Sequence, residues 1–148
     1  LLFGDDVECD AEVFELLGRV CEGFRHGELE SHLRKRRVAK QDIRNLMELA
    51  DRLPIGSNPI EKIFIHLERG SDPAVFRYER VIPTRSYLQT VLVLCKIGRV
   101  RTSAVSTVAR EMRLRGIPED TIQNNLEDAT KRLCVDECLI TLANPPHP

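Results

Sequence analysis

The sequence has no long run of apolar residues. Its longest apolar stretch is about nine residues, from Tyr87 to Cys95, and two polar residues interrupt it. A helix that crosses a bilayer needs roughly 20 such residues, so we expect no membrane-spanning segment. Of the 148 residues, 42% are hydrophobic and 30% are charged, a balance that allows a buried core of one domain or two small ones.

The sequence also lacks a targeting leader and a disulfide framework. It starts at Leu1, with no basic and then apolar segment after it, which is typical of a fragment or a processed product. The cysteines are odd in number and widely spaced, unlike those of small secreted domains. They are Cys9, Cys21, Cys95, Cys134 and Cys138. We therefore expect an intracellular protein, cytoplasmic or nuclear.

Catalytic signatures are absent too. The chain has no phosphate-binding loop, nucleophile elbow, zinc-protease motif or dinucleotide glycine motif. Cys21 and His26 are five residues apart and could approach each other only around a helix end, so the sequence does not favour a catalytic Cys–His pair. Cys134, Cys138 and His147 are zinc ligand types, but they lack a fourth ligand and the usual spacing. We predict a protein that is not an enzyme and has no cofactor and no metal.

Charge is balanced overall but segregated along the chain. The net charge is −1, from 22 basic and 23 acidic residues, which gives no general attraction to nucleic acid or anionic lipid. Residues 1–30 carry −7, residues 31–44 carry +5, residues 96–115 carry +5 and residues 117–138 carry −4. These blocks either pair with one another across helix surfaces or form a footprint for a polyanion or an acidic partner.

Apolar residues at helical spacing predict helices along most of the chain. The clearest run covers residues 40–53, with Leu46 and Met47 among its core positions and Pro54 as its end. Residues 86–97 are apolar on nearly all sides and predict a central, enclosed helix that contains Leu92. Further helices are predicted at 10–24, 28–38, 59–67, 102–115 and 118–133.

Two segments predict β-structure. Residues 74–82 have the aromatic and β-branched content of a strand, with a short helix as the alternative. Residues 134–142 are typical of a hairpin whose two-residue turn lacks the preferred glycine. The expected fold is mainly α, a multi-helix bundle with a small C-terminal β-hairpin. We divide it into a helical subdomain at 1–54, a connecting helix and possible strand at 55–83, and a C-terminal subdomain at 84–148.

The order of elements in the C-terminal half resembles a winged helix-turn-helix domain. The resemblance covers roughly residues 84–142 and is carried by two apolar stripes, a glycine turn and the predicted hairpin. These are Val105/Val108/Met112, Gly116-Ile117-Pro118, Ile122/Leu126/Leu133 and residues 135–142. It is similar to the C-terminal winged helix of minichromosome-maintenance helicases, although the helicase ATPase motifs are absent. The resemblance implies DNA binding through the third helix of the domain.

The third helix departs from that pattern in its charge. Between Glu119 and Arg132 it carries four acids and two bases, and carboxylates oppose phosphate contacts. Its outward-facing residues are Asp120, Gln123, Asn124, Glu127 and Lys131. The preceding helix and its lead-in are the basic side, where side chains can contact a phosphate backbone or an acidic protein.

Two functions remain open. The first is a non-enzymatic helical interaction module of a larger protein or complex, which docks a partner with an acidic surface through segregated charged faces. The alternative is a nucleic-acid-binding regulatory domain that uses the basic segments 34–44 and 99–115. The candidate binding residues are Arg34, Lys35, Arg36, Arg37, Arg99, Arg101, Arg110 and Arg113. The first four lie consecutively on a predicted helix, and the oligomeric state is open.

Overall fold

The structure is a computed structural model that describes residues 1–144, and it is mainly helical with one small parallel sheet. The strands are β1 (Leu2–Asp5), β2 (Ile63–His66) and β3 (Val81–Thr84). The helices are α1 (Asp10–Cys21), α2 (His26–Lys35), α3 (Lys40–Arg52), α4 (Tyr87–Lys96), α5 (Ser103–Leu114), α6 (Glu119–Leu133) and α7 (Glu137–Ala143). The expectation of a mainly α protein is confirmed.

The sheet has the order β1-β2-β3, so β2 is its central strand. Backbone bonds run from Leu2 N to Lys62 O (3.1 Å), from Ile63 N to Arg80 O (2.8 Å) and from Leu67 N to Thr84 O (2.9 Å). The connection from β1 to β2 contains α1, α2 and α3. The connection from β2 to β3 contains only a short 3-10 turn at Pro73–Val75.

The chain divides into two compact units. The first unit comprises residues 1–65 and 74–82, and the second comprises residues 66–73 and, among the described residues, 83–144. The chain therefore passes between the units three times: within β2, between residues 73 and 74, and at the middle of β3. The predicted segment limits at 54 and 84 remain predictions from the sequence.

In the first unit, α1, α2 and α3 pack through one apolar face each. Their shared core contains Val20, Leu29, Leu33, Ile43 and Ala50, all of them buried. Helix α1 lies close to the segment that precedes β2 at Gly18, because a Cβ on Gly18 would lie 2.5 Å from the side-chain amide of Asn58. The three helices predicted here from periodicity are confirmed, each with its end shifted by a few residues.

The helix predicted at 59–67 is wrong, and β2 takes its place. The Asn58 side chain does accept the backbone N–H of Ile60, at 2.9 Å, but this bond closes a local turn and does not cap a helix. Residues 63–65 are all buried, although successive side chains of a strand point to opposite faces of the sheet. A short β-branched run enclosed on both faces is typical of a parallel strand, and its spacing alone does not separate it from a helix. The strand predicted at 74–82 is wrong for most of its length, because residues 73–75 form a 3-10 turn and β3 begins only at Val81.

In the second unit, α4 is the enclosed helix that the sequence predicts. Ser86 caps its first turn by accepting the Gln89 N–H at 3.4 Å, and Leu88 and Leu92 have no exposed surface. Gly98 ends the segment with φ +71°, while its N–H bonds to Cys95 O at 2.9 Å. A positive φ of this kind favours glycine, which explains the end of the helix.

A polar cluster ties α6 to α4 and β3. Asp128 accepts bonds from Arg132 (2.6 Å) and from the Gln89 amide (2.8 Å), and Arg132 also donates to Pro83 O at 2.6 Å. Burial acts to raise the pKa of Asp128, but these bonds and the charges of Arg132 and Arg85 outweigh it and lower that pKa. Asp128 is therefore a structural carboxylate.

The predicted C-terminal hairpin is wrong, because residues 137–143 form α7. Cys134 ends α6 in the left-handed region at φ +52°, and the chain turns into a new helix directly after Asp136. Leu139 and Ala143, four residues apart, are buried on one side of α7. The residues expected to form a wing thus follow a helical period, and residues 134–144 contain no strand.

No helix within residues 1–144 is both long enough and apolar enough to span a bilayer.

Candidate protein-docking groove

An open apolar groove of about 260 Å³ runs across α1, α2 and α3. Ten apolar residues line it, and none of them carries a charge. They are Val13, Leu16, Leu17, Val20, Leu29, Leu33, Leu46, Leu49, Ala50 and Leu53. The groove lies entirely in the first unit.

Half of these lining residues remain accessible to solvent. On α1, Val13 and Leu17 are 51% and 45% exposed. On and just after α3, Leu46, Leu49 and Leu53 are 42%, 56% and 39% exposed. Isolated exposed leucines are ordinary, but a contiguous apolar patch on a folded surface marks an interaction site.

The exposure follows from how α1 and α3 present their two apolar faces. On α1, Ala11 and Gly18 are buried, whereas Val13 and Leu17 lie on a different side of the helix. On α3, Ile43 and Ala50 enter the shared core, and Leu46, Leu49 and Leu53 form a second row beside it. The three helices thus leave apolar surface of the kind that a fourth packed helix covers.

Polar contacts join the helices at both ends of the groove. One end contains the α2–α3 turn and the start of α1, which a 2.8 Å ion pair between Arg36 and Glu12 ties together. The other end contains the α1–α2 turn and the end of α3. There Arg25 donates to Leu53 O at 2.7 Å, and His26 lies 3.9 Å from Asp51.

The predicted basic cluster at 34–37 lies at the first of these ends, but not as four helical residues. Helix α2 stops at Lys35, Arg36 is its C-cap and Arg37 adopts φ +60°. Arg34 pairs with Glu30 at 2.6 Å, and Arg36 pairs with Glu12. Lys35 and Arg37 are exposed.

The second predicted basic cluster belongs to the other unit. Arg113 bonds to Glu119 at 2.7 Å and to Ala143 O at 2.9 Å, so it holds the ends of α6 and α7 in place. Its pKa is raised, first of all by the bond to Glu119. Arg99, Arg101 and Arg110 are exposed. The structure therefore does not gather these four arginines on one open face. The two predicted basic clusters also lie in different units.

A second cavity, of about 620 Å³, lies beside the start of α1. Its charged lining is balanced, with Glu8 and Glu12 against Arg36 and Arg77, and Phe76 and Tyr78 supply aromatic surface. Because its charges oppose one another, the cavity does not favour a ligand of either sign.

The described residues contain no group of three or more side chains that could hold a metal ion. Cys134 and Cys138 are exposed. The possible third ligand, His147, lies outside the described residues.

The groove is the feature that sequence reasoning missed. A signal was present in residues 40–53, where Leu49 extends the apolar positions beyond the stripe of Ile43, Leu46, Ala50 and Leu53. A stripe wider than one buried face indicates a helix with more apolar surface than its own fold covers.

No known protein family, curated protein or solved structure matches this chain.

Proposed function

We propose that this chain is a non-enzymatic protein-interaction module whose groove binds the apolar face of an amphipathic helix from a partner protein. The observation that carries the proposal is the exposure of five large apolar side chains within one continuous groove. The proposal keeps the interaction module expected from the sequence, but it moves the contact from charged faces to an apolar surface flanked by charge.

The dimensions of the groove support a helix as the occupant. The rows Val13 to Val20 and Leu46 to Leu53 each extend over eight residues, or about 10 Å along a helix axis. That length matches about two helical turns, which present side chains at positions i, i+3, i+4 and i+7. Two facing helices with leucine and valine rows are the usual walls for such an occupant.

The nucleic-acid alternative has weaker support. Phosphate binding depends on basic side chains that are available to neutralise phosphates. Arg34, Arg36 and Arg113 already contact carboxylates. Five free cysteines agree with the intracellular location that belongs to this proposal.

The test is selection from a displayed library of helical peptides of about 16 residues with a fixed leucine stripe and variable polar positions. We expect selected peptides to bind the wild-type chain and to lose about tenfold or more in affinity to Leu49→Glu, because a buried carboxylate opposes docking. The matched control is Leu114→Glu, since Leu114 is 73% exposed but lies in the second unit.

Fluorescence anisotropy at moderate salt measures these affinities. The proposal is wrong if no selected peptide depends on Leu49, or if both variants weaken binding equally. A mixed-sequence DNA duplex that binds more tightly than every peptide, and depends on Arg101 and Arg110, would favour the alternative.

A further inference from the structure

The cavity beside the start of α1 brings together two segments that are far apart in the sequence. Residues 8–12 lead into α1, and residues 75–78 lie between the 3-10 turn and β3. Both segments belong to the first unit, and the cavity shares no lining residue with the groove. Its volume of about 620 Å³ is typical of a site for a small molecule.

Two of the four charged side chains in the cavity neutralise each other, and two do not. Arg36 and Glu12 form an ion pair at 2.8 Å. Glu8 and Arg77 are exposed, and within residues 1–144 neither side chain forms an ion pair or a hydrogen bond. The cavity therefore presents one available carboxylate and one available guanidinium, which lie too far apart to pair with each other.

Aromatic surface flanks the available guanidinium. Phe76 and Tyr78 are the sequence neighbours of Arg77, and all three line the cavity. The Val81 N–H donates to Tyr78 O at 3.0 Å, which closes the turn that leads into β3. Tyr78 is exposed and Phe76 is partly buried, so both rings offer surface to a ligand with an apolar or aromatic body.

We propose that this cavity binds a small zwitterion with an apolar or aromatic body, of the size of a dipeptide. Glu8 receives the ammonium group, Arg77 receives the carboxylate, and the body of the ligand packs against Phe76 and Tyr78. This site goes beyond the proposed function and does not depend on the groove.

The charges of the cavity favour this class of ligand over a singly charged one. A cation leaves Arg77 without a partner, and an anion leaves Glu8 without one, whereas a zwitterion engages both. A guanidinium also matches the planar geometry of a carboxylate, to which it donates two parallel hydrogen bonds. A dipeptide separates its ammonium and carboxylate by a peptide unit, which suits two lining charges that do not reach each other.

The experiment uses the whole chain and the dipeptide phenylalanyl-leucine in three forms. The first form has both termini free, the second is acetylated at its N-terminus, and the third is amidated at its C-terminus. Titration calorimetry measures the affinities. We expect the free dipeptide to bind about fivefold more tightly than either blocked form, because each blocked form loses one exposed ion pair.

Two variants assign these contacts to residues. Glu8→Gln should weaken binding of the free dipeptide about fivefold and leave the acetylated form unaffected, since that form has no ammonium group to lose. Arg77→Gln should do the same with the amidated form. Glu111→Gln and Arg110→Gln make the same charge changes at exposed positions of α5 in the second unit, and they should alter none of the affinities.

Cys9 reports occupancy of the cavity independently. It lines the cavity and is exposed, so the free dipeptide should slow its alkylation by iodoacetamide. Cys134 and Cys138 are exposed in the second unit and should react at an unchanged rate. Mass spectrometry of the digested chain follows all three thiols.

The proposed site is wrong if the three forms of the dipeptide bind equally, if none binds at millimolar concentration, or if Cys134 is protected as strongly as Cys9. Leu49→Glu should bind the free dipeptide as the wild-type chain does. A failure of the groove and a failure of this site are therefore distinguishable.

Discussion

Leu92 is a residue whose role is set by complete enclosure. It has no exposed surface in α4, and its neighbour Leu88 is equally buried. Truncation to alanine removes apolar contacts and leaves a cavity, so we expect Leu92→Ala to lower the free energy of unfolding by about 2–5 kcal/mol. Urea titration followed by circular dichroism measures this change.

Leu46 is the matched control for that truncation. The sequence places Leu46 and Met47 in the core with Leu92, but Leu46 is 42% exposed in the groove and Met47 is only partly buried. Leu46→Ala should therefore cost less than half as much as Leu92→Ala. Equal losses from the two truncations would contradict the burial described for both leucines.

At the scale of elements, the sequence is most informative where a helix has one buried face and a clear end. Residues 40–52 and 87–96 meet those conditions, and both helices are confirmed. The errors fall on short apolar segments, because a run such as residues 63–66 is compatible with either a strand or a helix turn. The opposite error occurs at residues 137–143, where a hairpin is predicted and a helix is found. This helix has seven residues, too few for its period to be recognised.

Glycine substitutions test two of these elements in opposite directions. Gly27 lies within α2 without a positive φ and has open space where a Cβ would be added, so Gly27→Ala should stabilise the chain by about 0.5 kcal/mol. Gly98 has the same open space but φ +71°, so Gly98→Ala should destabilise it by about 1 kcal/mol. Differential scanning calorimetry measures both changes, and a loss of stability in Gly27→Ala would mean that α2 does not include residue 27.

At the scale of the whole molecule, the candidate site was only half visible in the sequence. The charge blocks at 1–30 and 31–44 are evident, and they supply residues for both ends of the groove. The apolar residues of the lining can also be read from the sequence, but their periodicity does not tell which leucines stay exposed in the folded chain. That outcome depends on how many helices pack around α1 and α3, and the three-helix arrangement covers only part of their apolar surface.

A low net charge and an exposed groove together predict weak self-association. The net charge is −1 and the isoelectric point is about 6.5, so electrostatic repulsion between copies is smallest near that pH. We expect light scattering to show the strongest attraction between copies near pH 6.5. At that pH little electrostatic repulsion keeps the exposed leucines of two grooves apart. Leu49→Glu should reduce this attraction. Leu114→Glu adds the same charge to a leucine outside the groove that is even more exposed. A similar reduction in both variants would therefore mean that net charge alone governs association and that the groove is not its contact surface.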